Sequence, residues 1–442
     1  MNAVSQFPIR GKTAQEIAAS IEEGIERGAL APGSRLPSIR RLAGDRGVSP
    51  TTAAAALAIL RRRGLVLTRP RSGARVSWRA PARRRWPAIV PTGVRDLARG
   101  NPDAGLLPQL APALAQIESS HHLYGQEPAE ERLLQLAATE LGENGIHSEH
   151  LVVTSGALDA IERIVSAHLR PGDVVAVEDP SYPAIFDLLR ARGLALHPVA
   201  VDEEGAIAES LEQALRDDVS AVILTPRGHN PTGAAFSRKR AAELSSILAS
   251  RPEVMVIEDD YLGPVAGTDR FTTVRARGRW ASVRSVSKSL GPDLRLAVAS
   301  GDRQTINRVQ SGLLLGPQWV SHILQRLVAV LWSDPDVAAQ LKHAAASYAR
   351  RREALVESLA RHGISAQGPS GLNVWIRVPD EGEVAQHLLE QGFAVALGSP
   401  FSIAPAGDAI RVTISSLEEA EIPRLASLIA RSLDPGQRTR AA

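Results

Sequence analysis

Five short segments of the chain carry side chains that could act together on one small ligand. Lys288, closing Ser285-Val-Ser-Lys288, offers one amine that can condense with an aldehyde. Ser285, Ser287 and, beyond the lysine, Arg295 offer hydroxyls and a guanidinium for a phosphate. Glu258-Asp-Asp-Tyr261 supplies three consecutive carboxylates and a phenol, and Pro226-Arg-Gly-His-Asn-Pro-Thr-Gly233 contains Asn230, whose amide can donate into a cleft. Glu178-Asp-Pro-Ser-Tyr-Pro183 presents the ring of Tyr182 to a flat ligand, and Thr154-Ser-Gly-Ala157 is a small-residue turn of the kind that holds phosphate at a helix start. Taken singly, each has a plainer reading: a lone lysine is a surface charge, a lone aspartate a turn residue, a row of acids an edge loop. Their weight lies in the set.

The elements that must position them are legible in outline. Each segment follows or closes a short apolar, β-rich run, at Leu151–Thr154, Val174–Val177, Ala221–Thr225, Val254–Ile257 and Ala281–Ser285, and helical runs alternate with these from Asp96 onward. This alternation predicts an α/β sheet, mostly parallel and covered by helices, in which ligands bind outside the carboxyl ends of the strands. All five segments fall there. Pyridoxal phosphate asks for such a set: a lysine, a carboxylate to keep the ring nitrogen protonated, donors to the phenolic oxygen, a stacking aromatic and a phosphate cup.

The first eighty residues differ in character. Residues 1–85 hold 17 Lys and Arg against 5 Asp and Glu, net +12, leaving 34 against 43, net −9, for the remainder. A small basic module joined to a larger acidic one points to a polyanion as partner of the first. Ile17, Ile21 and Ile25 recur at helical spacing within Lys12 to Gly28, Ser38 is placed to cap a short second helix, and Ser49-Pro50 opens a third helix over Thr51 to Arg63. Two short helices joined by a tight turn make a helix-turn-helix with the third as recognition helix. Leu65-Val-Leu67 and Arg75-Val-Ser77, joined by Arg69-Pro-Arg-Ser-Gly73, read as a hairpin with a basic tip, a wing.

These motifs, Gly28-Ala-Leu-Ala-Pro-Gly-Ser-Arg-Leu-Pro-Ser-Ile-Arg40 and Gly47-Val-Ser-Pro-Thr-Thr52 above all, resemble the GntR family of winged-helix regulators over about seventy residues. The resemblance implies contacts to double-stranded DNA from Arg40, Ser49, Thr51, Thr52, Arg71 and Ser72. Pro50 departs from the basic residue of many relatives, and Ala53 to Ala56 leave the recognition helix without long polar side chains. Trp78 to Arg95, rich in Pro and Arg, reads as a linker whose Arg83–Arg85 run could meet phosphates or simply keep the segment extended.

From residue 96 the order and spacing of the five segments resemble fold-type-I aminotransferases. Carried over by motif, Lys288 would be the Schiff-base lysine, Asp259 the pyridinium partner, Asn230 and Tyr261 the phenolate donors and Tyr182 the stacking ring. Ser155, Gly156, Ala157, Ser285, Ser287 and Arg295 would cup the phosphate, Arg411 would hold the carboxylate of a substrate or effector, and Tyr124 would reach the neighbouring subunit's phosphate, implying a homodimer. Leu158 and Leu134 depart from the family's pattern. The fusion resembles the MocR subgroup of GntR regulators. The expected arrangement is therefore a winged helix at 1–78, a linker at 79–95 and an aminotransferase-like, pyridoxal-phosphate-binding domain at 96–442. The resemblance implies a regulator that senses the cofactor or an amino compound; the alternative is a working aminotransferase with an accessory DNA-binding domain.

Composition excludes other classes. There is no Cys, hence no disulfide frame or thiolate metal site, and the eleven His show no metal-ligand spacing. No signal core opens the chain, and no run reaches the ~18 apolar residues of a membrane span. A cytoplasmic protein is expected.

Overall fold

A computed structural model describes residues 7–27, 29–30, 33–62, 65–69, 73–76, 90–118, 120–274, 278–403 and 407–433. Two compact units divide the chain: residues 1–86 with 169–175 and 184–196, and residues 87–168, 176–183 and 197–442.

The N-terminal region folds as three helices and a hairpin: α1 (Ala14–Glu26), α2 (Ile39–Arg46), α3 (Pro50–Arg62), β1 (Val66–Arg69) and β2 (Gly73–Val76). Thr13 and Glu16 form a reciprocal capping box at α1, a start signal absent from the sequence reading. Ser38 caps α2 on Arg41 N, and Gly47 ends that helix at φ 64°, a conformation that favours glycine. Ile17, Ile21 and Ile25 are buried with Leu42, Leu57, Leu60 and Val76, so the predicted apolar stripe is the core of this unit. β1 and β2 pair antiparallel from Val66↔Val76 to Arg69↔Gly73; residues 70–72 of the segment read as the basic tip lie outside the described residues.

Thirteen further strands build two sheets. They are β3 (Arg95–Leu97), β4 (Leu151–Thr154), β5 (Val174–Asp179), β6 (Ala195–Asp202), β7 (Gly205–Ala206), β8 (Ala221–Leu224), β9 (Met255–Asp260), β10 (Trp280–Ser285), β11 (Ala297–Gly301), β12 (Ala366–Gln367), β13 (Asn373–Arg377), β14 (Phe393–Leu397) and β15 (Ala409–Thr413). The larger sheet runs β4-β11-β10-β9-β8-β5-β6-β7. β8, β9 and β10 are parallel, but β11 lies antiparallel between β10 and β4. The expected parallel sheet therefore carries a reversed strand near one edge. The smaller sheet, β12-β13-β15-β14-β3, packs Val374, Ile376, Ile410 and Val412 against Tyr348, Leu355, Leu425 and Ile429 of two long helices.

Arg95, the last residue of the segment read as linker, opens β3, pairs with Phe393 of β14 and forms ion pairs with Glu418 and Glu421. Residues 78–89 of that segment lie outside the described residues. No described helix is long and apolar enough to cross a membrane.

Candidate functional site

Strand alternation decides among the three consecutive acids. Successive side chains of β9 point to opposite faces, so Glu258 and Asp260 share one face and Asp259 takes the other. Glu258 accepts from Arg270, Thr272 and both the amide and hydroxyl of Thr273, at 2.6–2.9 Å. Asp260 accepts a fork from Arg227, at 3.0 Å from Nε and 2.7 Å from Nη2, and a third bond from Arg270 at 3.2 Å. Burial opposes its charge, but Arg227 and Arg270 prevail and hold its carboxyl well below the usual range. Asp259 has no such partners. It is buried, its Oδ1 has no hydrogen-bond partner among the described residues, and burial together with the charge of Asp260 pushes its pKa up to about 7.

Lys288 lies in the connection from β10 to β11, whose ends are fixed by the pairing of Ser285 with Ala297. Its Nζ donates to Gly100 O at 2.7 Å. Burial, reinforced by the positive charge of Arg411, lowers its pKa to about 8, which favours the neutral amine. Tyr261 donates to Gly228 O at 2.6 Å, and burial with the neighbouring Asp259 keeps its hydroxyl protonated.

Arg411 enters from the smaller sheet, at the centre of β15. Its Nη1 donates to Asn230 Oδ1 at 3.0 Å and its Nη2 to Ala98 O, while Phe401 lies 4.9 Å from its Cζ. Holding the oxygen of Asn230 in this way leaves its amide nitrogen as the donor. Arg411 is 3% exposed, forms no ion pair among the described residues, and burial lowers its pKa to about 10. A buried guanidinium without a carboxylate is costly to keep unless an anion visits it. Gly100, at φ 70°, passes close beneath, where a Cβ would lie 3.6 Å from the guanidinium nitrogens.

On the phosphate side, the hydroxyls of Ser285 and Ser287 stand 2.8 Å apart. Arg295 adopts a left-handed backbone, φ 43°, and its Nη2 donates to Ser155 O at 3.3 Å. Gly156, at φ 99°, faces the same guanidinium: a Cβ there would stand 3.4 Å from Nη2. Ala157 begins the helix Ala157–His168. The amide of Ser155 donates to Asp159 at 2.9 Å. Tyr182 is half-exposed; partial burial raises the pKa of its hydroxyl, and the charges of Arg411, Asp259 and Arg295 act on it as well. Tyr124 stands apart: 83% exposed, it touches Trp319 edge-on at 5.4 Å.

Sequence reasoning missed Gly100 and Ala98, which act through backbone carbonyls, and Arg227 and Arg270, which neutralise the two acids beside Asp259. Alternation along Val254–Asp260 was the signal that could have separated Asp259 from its neighbours.

In the N-terminal unit, Arg40 and Thr51 are exposed and Thr52 is partly buried. Ser49 accepts from Thr52 N at 3.0 Å and its hydroxyl lies 2.8 Å from that of Thr52. Ala53 and Ala56 are fully buried, which accounts for small residues on that side of α3. Arg71 and Ser72 lie outside the described residues.

Two family models match separate stretches of the chain. Residues 13–76 match the model of bacterial regulatory proteins of the gntR family, and residues 92–429 match aminotransferase class I and II. The chain is 38% identical over 428 residues to the vitamin B6 salvage pathway transcriptional repressor PtsJ of Salmonella typhimurium, covering 96% of this chain and all of that protein. It is 27% identical to the transcriptional regulator TauR of Rhodobacter capsulatus, over 96% of this chain and 97% of TauR. Among solved structures, an archaeal alanine:glyoxylate aminotransferase superposes with TM-score 0.71 at 24% identity, covering 77% of this chain and 90% of its own. The α-aminoadipate aminotransferase LysN of Thermus thermophilus, complexed with N-(5'-phosphopyridoxyl)-L-leucine, gives 0.70 at 23%, covering 79% and 94%. At that identity the likeness establishes the fold.

Proposed function

We propose, because this chain belongs to the MocR subgroup of the GntR family of transcription regulators, that it binds DNA according to whether its aminotransferase-like domain holds pyridoxal phosphate on Lys288. The observation that carries this reading is the state of Asp259: a buried carboxylate whose Oδ1 has no partner, on the strand face opposite its neutralised neighbours. A pyridinium N–H is the donor that would satisfy it. The remaining residues suit the same molecule: Lys288 for its aldehyde, Tyr261 and Asn230 for its phenolic oxygen, Tyr182 for its ring, and Gly156, Ala157, Ser285, Ser287 and Arg295 for its phosphate. When bound, the cofactor supplies an electron-accepting ring and a carbonyl carbon open to amines. The chain's own groups do the rest: Asp259 holds the ring nitrogen's proton, Arg411 orients an incoming carboxylate, and Lys288 accepts or releases the attachment.

The vitamin B6 repressor with which this chain shares its length favours the cofactor itself as the signal. An amino acid anchored by Arg411 is the second candidate effector, favoured by the unpaired guanidinium. The test compares DNA affinity of the apo protein, the loaded protein and a Lys288→Ala variant on a genomic fragment selected by the protein. A coupling of about 1–3 kcal/mol, roughly five- to 150-fold, is expected between the first two, and none in the variant. Identical affinity in all three, with amino-acid turnover at ordinary enzyme rates, would instead support a working aminotransferase.

Two further outcomes follow. Arg411→Met should keep cofactor loading while weakening capture of an amino acid by about tenfold to a hundredfold, measured by titrating the visible band of the loaded protein, since a charge-assisted pair contributes about 1.5–3 kcal/mol. For DNA, Arg40→Ala should weaken binding and flatten its salt dependence by about one unit in the log–log slope, measured by fluorescence anisotropy at several salt concentrations. A slope unchanged by the substitution would remove Arg40 from the phosphate contacts.

A further inference from the structure

The strands that carry the site have a second face. Behind β9 and β10, where Glu258 and Asp260 point, lies a cavity of about 260 Å³. Arg284, Glu140 and Lys342 line one part of it, and Leu331, Trp332 and Leu341 another. Arg284 is registered beside Asp260 on the neighbouring strand, so both belong to this rear face.

The guanidinium of Arg284 is held on almost every side. Nε donates to Glu140 Oε1 at 2.5 Å and Nη1 to the carbonyl of Ser285. The Trp332 ring lies 5.2 Å from Cζ, and a Cβ at Gly263 would clash with Cζ at 2.2 Å. Glu140 spends its other oxygen on Trp332 Nε1, at 2.7 Å. What remains is Arg284 Nη2, the one guanidinium nitrogen that takes no part in these two bonds, on a residue that is 2% exposed. Lys342, exposed and in no ion pair among the described residues, adds a further cation to the lining. Two donors of positive charge thus face an apolar, tryptophan-bearing wall. The volume lies just under the ~300–1,000 Å³ of drug-sized pockets, which limits an occupant to about one ring.

We propose that this cavity is a second ligand site, taking a small single-ring carboxylate, and that it is coupled to the Lys288 site through Arg284. The carboxylate meets Arg284 Nη2 and Lys342, and the ring lies against Trp332. Coupling is direct because the same guanidinium grips the carbonyl of Ser285, whose hydroxyl stands beside that of Ser287 at the front of the sheet. The cavity also takes in Ser289 and Leu290, the residues that follow Lys288.

Phenylacetate is a suitable probe, with neutral phenylacetamide as its control, measured by calorimetry on the full-length protein. One site per chain is expected, with the amide at least tenfold weaker. Because Arg411 could also attract a carboxylate, the same titration on Arg411→Met and on Lys288→Ala should retain the site, which makes its detection independent of the cofactor reading. Lys342→Gln, at an exposed position that leaves the fold intact, should weaken phenylacetate at least threefold and phenylacetamide not at all. Leu341→Trp, which fills the cavity, should abolish binding. With the probe saturating, the affinity of the wild-type protein for pyridoxal phosphate should shift at least threefold. The proposal is overturned by no saturable binding, by equal binding of the amide, by loss in Arg411→Met, or by indifference to Lys342→Gln. Binding that leaves cofactor affinity unchanged would overturn the coupling.

Discussion

Borohydride reduction of the protein incubated with pyridoxal phosphate should fix one phosphopyridoxyl group per chain, and peptide mapping should find it on Lys288. The lysine's position explains the selectivity. Most lysines are solvated and protonated at neutral pH, whereas Lys288 is largely buried beside Arg411, and its pKa of about 8 leaves a substantial neutral fraction. The rate of cofactor attachment should accordingly rise with pH and level off above about 8. Lys288→Ala should take no label and retain the cofactor on the order of a hundredfold more weakly, about 2.7 kcal/mol, measured by dialysis against its visible absorbance. Labelling elsewhere in the chain, or retention unchanged by the substitution, would displace Lys288 from this role.

The second large effect separates two adjacent aspartates. Asp260→Ala leaves Arg227 buried without its carboxylate, a loss of about 3–5 kcal/mol in stability. Asp259→Asn removes a charge that the fold itself disfavours. Its pKa rises from 3.8 to about 7 on folding, so ionisation penalises the apo protein progressively above pH 3.8 and fully above about 7. The Asn variant should therefore be at least as stable as wild type at pH 8, with the advantage fading towards pH 4, while losing cofactor affinity. Asp260 has the opposite sign: its depressed pKa adds stability above pH 3.8 that is lost as pH falls through its folded value. Thermal melts of both apo variants across pH, beside cofactor titrations, distinguish the two roles. A destabilised Asp259→Asn with normal cofactor affinity would make Asp259 a structural acid.

Much of this architecture was legible in sequence because the larger sheet announces itself through apolar runs closed by unusual residues, as at Ile257 before Glu258 or Val283 before Ser285. The N-terminal helices were legible for a related reason, since Ile17, Ile21 and Ile25 share one buried stripe. The smaller sheet was not: β3 and β12 have three and two residues, too short for any periodicity, and Arg411 was found only through a family motif. β11 escaped because Ala297–Gly301 is small and featureless, although it fixes one end of the lysine's loop. The unpaired state of Asp259 depends on Arg227 and Arg270, whose arrival beneath β9 is a fact of packing.

The pairing of β3 with β14 joins residues 95–97 to 393–395. A ribosome making this chain finishes the recognition helix and wing by residue 76, but β3 must wait for its partner strand, and Arg411 comes later still. At about 5–20 residues per second, the 335 residues between 76 and 411 take roughly 17–67 s. Throughout that interval every residue of the three-helix core has been made, while Arg411 has not. A chain arrested there would hold the helix-turn-helix without the pocket that the proposed regulation needs, so premature termination would separate the two halves of that proposal.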